Sequence, residues 1–174
     1  MLPSYRRALS GHARGRIGNE SGFKEDQIAD YSFSGATKEN AFYASGRWAS
    51  TAEYFEAVED GPHTLRLKYE AAAVNLVMAS PRSQTSEVVI LQDGKSLSRN
   101  AGTRDTRFRA AKAGEESYIA VDAARMYFVV DNHAFGEHEL ELRCSAGVAL
   151  FAFTFTSCVD PVASALQAST PAHS

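Results

Sequence analysis

Cysteine is scarce in this chain. Cys144 and Cys158 make up the whole complement, and they form no C-x-x-C. A dithiol redox motif carried by the chain itself is therefore excluded. Prolines number 5 and tryptophan 1 in 174 residues. No apolar run approaches the ~18 residues of a membrane helix, so no membrane insertion is expected. The segment Met1-Leu-Pro-Ser-Tyr-Arg-Arg7 carries charge with no apolar stretch behind it, so no signal peptide is visible. A basic excess is missing as well. Lys+Arg 18 against Asp+Glu 21 give a formal charge of −3, which speaks against a nucleic-acid partner. The G-x-S-x-G elbow and the G-x-x-x-x-G-K phosphate loop are both absent.

What is present is β-periodicity. Residues 64–70 alternate strictly, with Leu65, Leu67 and Tyr69 on one face and Arg66, Lys68 and Glu70 on the other. Residues 74–78 and 87–91 are short, β-branched and suited to buried strands. Residues 117–121 and 125–130 follow. Residues 138–143 alternate again, with Leu140 and Leu142 inward. Residues 149–155 close the series, with Phe151, Phe153 and Phe155 expected on one side. Turn residues separate the runs: Asp60-Gly61-Pro62, Asp93-Gly94, Gly114 and Ala146-Gly147. Short strands with such punctuation predict an all-β fold, an antiparallel jelly-roll-like β-sandwich. The core is expected to hold Leu65, Leu67, Leu76, Ile90, Phe128, Leu140, Leu142, Phe151 and Phe153.

Residues 1–40 read as an extended lead-in lying against the sandwich, pinned by Tyr31, Phe33, Phe42 and Tyr43. The sandwich itself is expected over 41–158. The tail, 159–174, is rich in Ala, Ser and Thr. Asp160 before Pro161 is a helix-start pair, so the tail holds at most one short helix and is otherwise expected to be disordered. Ala146-Gly147 is expected to close an antiparallel hairpin between 138–144 and 149–157. That hairpin would hold Cys144 and Cys158 about ten residues apart along the strands and leave both thiols free.

Chemistry-bearing clusters are few. His133, Glu137, His138 and Glu139 are the one metal candidate, yet His138 and Glu139 are strand neighbours and point to opposite faces. A polar turn leading into a strand accounts for them. Glu137, Glu139 and Glu141 share a strand face and read as solvated charge. Arg104, Arg107, Arg109 and Lys112 read as a solvated basic loop. Cys144 continues the inward face of Leu140 and Leu142 and reads as a structural thiol. No catalytic constellation, metal or cofactor is expected. For a ligand site the candidates are Trp48 and Tyr127, as rings on which a sugar or an apolar side chain stacks, with Asn75 and Arg125 as hydrogen-bonding groups. The competing account places Asn75 and Arg125 on buried backbone groups.

Several segments taken in order carry a family resemblance. They are Gly46-Arg-Trp48, Leu67-x-Tyr-x-Ala-x-x-Val-Asn-Leu-Val77, Asp93-Gly94, Arg125-Met-Tyr127, Gly136-Glu-His-x-Leu-x-Leu142 and Phe151-Ala-Phe-Thr-Phe155. Over roughly residues 9–157 the chain resembles the C-terminal domain of DipZ/TlpA-type thiol–disulfide oxidoreductases, the thioredoxin-like C-terminal domain. Gly11-His-Ala-Arg-Gly15 is similar to that family's linker out of its thioredoxin domain. The family's glycine after Phe-Thr-Phe is Thr156 here, and the two cysteines are additional. The resemblance implies a fold like that of carbohydrate-binding modules. It also implies a non-catalytic accessory role beside a thioredoxin-like protein, by docking or by targeting to an envelope component. A stand-alone carbohydrate-binding module is the alternative. The compartment it implies is extracytoplasmic, in the periplasm; with no export segment visible, the cytoplasm stays open. The oligomeric state is not legible.

Overall fold

Alternation along residues 64–70 buries Leu65, Leu67 and Tyr69 as expected, and the run at 74–78 is the same strand continued. In the computed structural model, which describes residues 5–9, 17–39, 41–80 and 85–157, β5 is unbroken from His63–Ala79. Its inward set passes from odd to even positions at Ala71 and Ala72, which are both buried. Beyond that switch Val74, Leu76 and Met78 line the core. Alanine at both positions lets the strand roll without driving a large side chain to either face.

The runs at 125–130 and 138–143 also merge, into β10, Arg125–Cys144. β10 pairs antiparallel with β5 along its length. The ladder steps from Asp131 opposite Ala73 to Gly136 opposite Ala71, so residues 132–135 stand against Ala72 in a wide bulge. The other strands are β1 Tyr5–Leu9, β2 Gln27–Tyr31, β3 Phe42–Ser50, β4 Phe55–Ala57, β6 Ser86–Gln92, β7 Lys95–Ser96, β8 Arg107–Ala111, β9 Gly114–Val121 and β11 Ala149–Thr156. All are joined in one 11-stranded sheet ordered β1-β11-β4-β3-β5-β10-β6-β9-β8, with β2 on β3 and β7 on β6. A further β11–β5 pairing closes a circuit through β5, β11, β4 and β3. Every strand pair is antiparallel, no helix occurs among the described residues, and the fold is all-β.

The expected hairpin between 138–144 and 149–157 does not form. At 140–144, β10 has β5 on one edge and β6 on the other, so neither edge is free. Gly147, at φ +91°, instead carries the chain across to the open edge of β5, where β11 pairs with residues 73–79. The Cys144–Cys158 separation derived from that hairpin loses its basis, and Cys158, like Asp160 and Pro161, lies outside the described residues. The basic run at 104–112 is not all loop either: β8 is an edge strand whose Arg109 binds Glu116 at 2.7 Å and Glu87 at 2.8 Å.

Of the expected core, Leu65, Leu67, Leu76, Ile90, Leu140, Leu142 and Phe153 are buried. Phe151 and Phe128 are only half-buried. The ladder skips Phe151 between Leu150 opposite Met78 and Ala152 opposite Val77, and this bulge turns it out onto Tyr54. Phe128 lies on the outer face beneath the Arg104 guanidinium, 4.0 Å from its ring centre. The lead-in is woven into the sheet, since β1 pairs with β11 and β2 with β3. Phe33 packs on Tyr43 with ring centres 4.2 Å apart.

Candidate functional site

Trp48 and Tyr127, the two rings expected to meet a ligand, are both 0% exposed. Trp48 lies flat on Phe55 at 4.6 Å, meets His63 edge-on, and donates its indole N–H to the Ser45 carbonyl at 3.0 Å. Beside it Gly46 sits at φ +103°, where a Cβ would come within 2.3 Å of the Pro62 carbonyl oxygen, so the Gly46-Arg-Trp48 segment is a packing device. The Tyr127 hydroxyl donates to the Ala123 carbonyl at 2.7 Å and accepts the N–H groups of Asp122 and Ala123. Neither ring has a face left for stacking.

Arg125 covers Tyr127, its guanidinium 3.8 Å from the ring centre, and binds Asp105 at 2.9 Å. Asp105 in turn accepts the Phe128 N–H at 2.8 Å. Asn75 is directly across from Phe128 on the outer face of β5. The structure thus gathers Arg125, Tyr127 and Asn75 at one end of the β5–β10 pair and leaves Trp48 apart on β3. Arg125 acts as the lid of a packed tyrosine.

The exposed aromatic is elsewhere, in the β10 bulge: Phe135 is 53% exposed. The bulge is firmly tied. The Tyr69 hydroxyl donates to Gln92 Oε1, Gln92 Nε2 donates to Asn132 Oδ1 at 2.7 Å, and Asn132 Nδ2 donates back to the Tyr69 oxygen at 2.9 Å. Burial raises the Tyr69 pKa despite the Asn132 hydrogen bond, so the phenol keeps its proton. His133, at φ +58°, donates its backbone N–H to Asp131 and sets ring Nε2 2.9 Å from the Asn100 carbonyl. The Asp131 N–H reaches the Ala101 carbonyl. Next along, His138 Nδ1 is 2.7 Å from Asp93, which also accepts the Glu139 N–H. These bonds flank Phe135 on both sides along the chain.

Glu137, Glu139 and Glu141 alternate onto the outer face of β10, opposite Glu70, Lys68 and Arg66 of β5. Two pairs are diagonal across the strands, Lys68 with Glu137 at 2.9 Å and Arg66 with Glu139 at 2.8 Å, and Arg143 binds Glu141 along β10 at 2.8 Å. This one-rung slip leaves Glu70 without an ion-pair partner among the described residues, at the end of the ladder nearest Phe135. Sequence reasoning missed this pair. The signal was there in part: residues 131–136 break the alternation between two clear strand runs without supplying a Pro or an Asn-Gly turn.

Cys144 is buried and faces His63 across the β5–β10 ladder. Burial pushes its thiol up to about 12, which withholds the thiolate needed for exchange chemistry. Among the described residues no three His, Cys, Asp or Glu side chains converge as metal ligands would.

The sequence model of the family described as thioredoxin-like C-terminal domain matches residues 9–156. No curated protein matches the chain. Among solved structures, a family two carbohydrate esterase from Cellvibrio japonicus is similar at 10% identity and a TM-score of 0.48, over 90% of this chain and 35% of that one. A two-domain esterase active on acetylated mannans, co-crystallised with mannopentaose, is similar at 9% identity and a TM-score of 0.40, over 88% of this chain and 37% of that one. The chain therefore spans little more than a third of either esterase.

Proposed function

Because the chain belongs to the thioredoxin-like C-terminal domain family, we propose that it is a non-catalytic accessory module that docks onto a thioredoxin-like protein outside the cytoplasm. The family match over residues 9–156 carries this reading. Two features of the molecule support it. The Cys144 thiol is buried and protonated, which suits a module that leaves exchange chemistry to its partner. Phe135 is a large apolar side chain, exposed and held by a hydrogen-bonded bulge, which suits it as an aromatic anchor in a protein interface. Glu70, without an ion-pair partner among the described residues, offers a carboxylate that would match a Lys or Arg on the partner surface.

The test pairs the purified chain with a thioredoxin-like protein encoded beside its gene. Calorimetry is expected to show a one-to-one complex, and Phe135→Ala to weaken it about tenfold or more. An insulin-reduction assay of the chain alone is expected to stay at background. Absence of a complex, or turnover by the chain alone that disappears in Cys144→Ala or Cys158→Ser, overturns the reading.

A further inference from the structure

Five guanidinium groups lie over aromatic rings, and four of them are neutralised by a carboxylate. Arg66 has Glu139, Arg99 has Glu115, Arg109 has Glu87 and Glu116, and Arg125 has Asp105. Arg104 is the exception. Its guanidinium carbon is 4.0 Å from the Phe128 ring centre, and it has no carboxylate partner among the described residues. We propose that Arg104, together with Asn75, binds the carboxylate of an acidic residue set among aliphatic ones in a partner peptide, a role that does not rest on the docking of Phe135.

The guanidinium is held in place before any ligand arrives. Thr103 Oγ1 donates to the Phe128 carbonyl at 2.6 Å, and the Phe128 N–H donates to Asp105 at 2.8 Å. Arg104 stands between these two residues, so three consecutive positions take the carbonyl, ring and N–H of one phenylalanine. The turn that carries them is closed twice. The Thr106 N–H reaches the Thr103 carbonyl at 3.1 Å, and the Thr103 N–H reaches the Thr106 hydroxyl at 2.8 Å. Asp105 is already committed to Arg125 at 2.9 Å as well as to the Phe128 N–H. A guanidinium over a ring face loses none of its N–H donors to the ring edge and can take a carboxylate through two parallel bonds. Fixing it beforehand spares the cost of ordering a long side chain on binding.

The neighbours set the ligand class. Asn75 is directly across from Phe128, half-buried, and its amide has no hydrogen-bond partner among the described residues. Cβ atoms of such cross-strand pairs are about 4.5–5.5 Å apart, so this amide stands beside the ring that carries Arg104. One step along on the same face, Met126 is opposite Val77, and Val77 is opposite Ala152 of β11. Met126 is 42% exposed. The surface thus sets a row of donors against a row of apolar side chains, which complements a carboxylate with an aliphatic neighbour. A nucleic acid would need several unneutralised cations in register, and here there is one.

Nuclear magnetic resonance titration of the full chain with acetyl-Leu-Glu-Leu-amide tests this. The amides of 75–77, 103–105 and 126–128 are expected to shift, together with the Arg104 Nε–H signal, while those of 132–136 stay in place. The glutamine counterpart of the peptide, and sodium propionate as a carboxylate without flanking side chains, are each expected to bind at least tenfold more weakly. Arg104→Gln leaves a side chain over Phe128 and is expected to lower the affinity about tenfold. Asn75→Ala, which removes no bond of the Thr103–Asp105 turn, supplies a second variant and is expected to weaken binding severalfold. Phe135→Ala is expected to leave the affinity unchanged. No binding of the peptide, equal affinity for its glutamine counterpart, propionate binding as tightly as the peptide, or affinity unchanged in either Arg104→Gln or Asn75→Ala overturns the proposal. So does loss of binding in Phe135→Ala, which would place the peptide on the docking face.

Discussion

Glu70 stands directly across from Glu137 between β5 and β10, and Lys68 reaches back diagonally to take Glu137 alone, at 2.9 Å. Two carboxylates opposite each other on neighbouring strands repel, at a cost of about 0.2–1 kcal/mol. Glu70→Gln removes that repulsion and is expected to raise the thermal midpoint slightly. In the docking measurement the same variant is expected to weaken the complex. A variant that gains stability without losing partner affinity would show that Glu70 plays no part in docking.

Leu140 is fully buried and lies between Leu67 of β5 and Gln92 of β6. Leu140→Ala is expected to cost about 2–5 kcal/mol, read as a lower urea midpoint. Phe151→Ala, at a half-buried position turned out by the bulge in β11, is expected to cost clearly less. The ordering of the two variants checks the β11 register, because an inward Phe151 would reverse it.

For Cys144 the expectation is inertness. In a Cys158→Ser background, a thiol reagent at pH 8 should leave the native chain unlabelled and label it fully in urea. Burial holds the folded-state pKa at about 12, against 9.0 for the free thiol. The sign of the stability effect follows. Below about pH 9 both states keep the proton and this group does not tilt the balance; above it only the unfolded chain ionises, so stability falls as the pH rises toward 12. Cys144→Ala is expected to flatten that alkaline decline in a series of urea titrations.

Asp105 sets the opposite limb. Burial pushes its carboxyl up, but the hydrogen bonds from Arg125 and the Phe128 N–H, with the charges of Arg125 and Arg104, outweigh burial and hold it below its ordinary 3.8. The unfolded chain therefore binds this proton more readily. The stability Asp105 contributes is intact above about pH 4 and is lost as the pH falls through the lowered value. Between pH 7 and pH 3 the urea midpoint of Asp105→Asn should drop less than that of the unaltered chain. An equal drop would mean the Arg125–Asp105 pair adds nothing at neutral pH.

The sequence by itself determined most of the strands beyond residue 62 and which way most of their side chains face, but not β1 to β4 or β8. A period of two is a local property, so Leu65, Leu67, Leu140, Leu142, Phe153 and Cys144 point inward wherever their strands go. It also carried the family, because the order of Gly46-Arg-Trp48, the Leu67–Val77 run and the Gly136–Leu142 run is linear information. Neighbours were decided only by the tertiary structure. Ladder hydrogen bonds are made by backbone groups common to all residues, so a strand's partner depends on which edges are already taken. With β5 and β6 on its two edges, β10 had no edge for β11, and the hairpin that the turn at Ala146-Gly147 suggested gave way to a crossing onto β5. Exposure was decided the same way. Trp48 is buried because Phe55, across the turn between β3 and β4, lies flat on it, and Tyr127 because the Arg125 side chain, two residues back on β10, lies over its ring. Phe135 is exposed because a bulge against Ala72 lifts it off the sheet. An aromatic side chain has no sequence mark that says whether another residue will cover it, and that contact exists only once the sheet has closed.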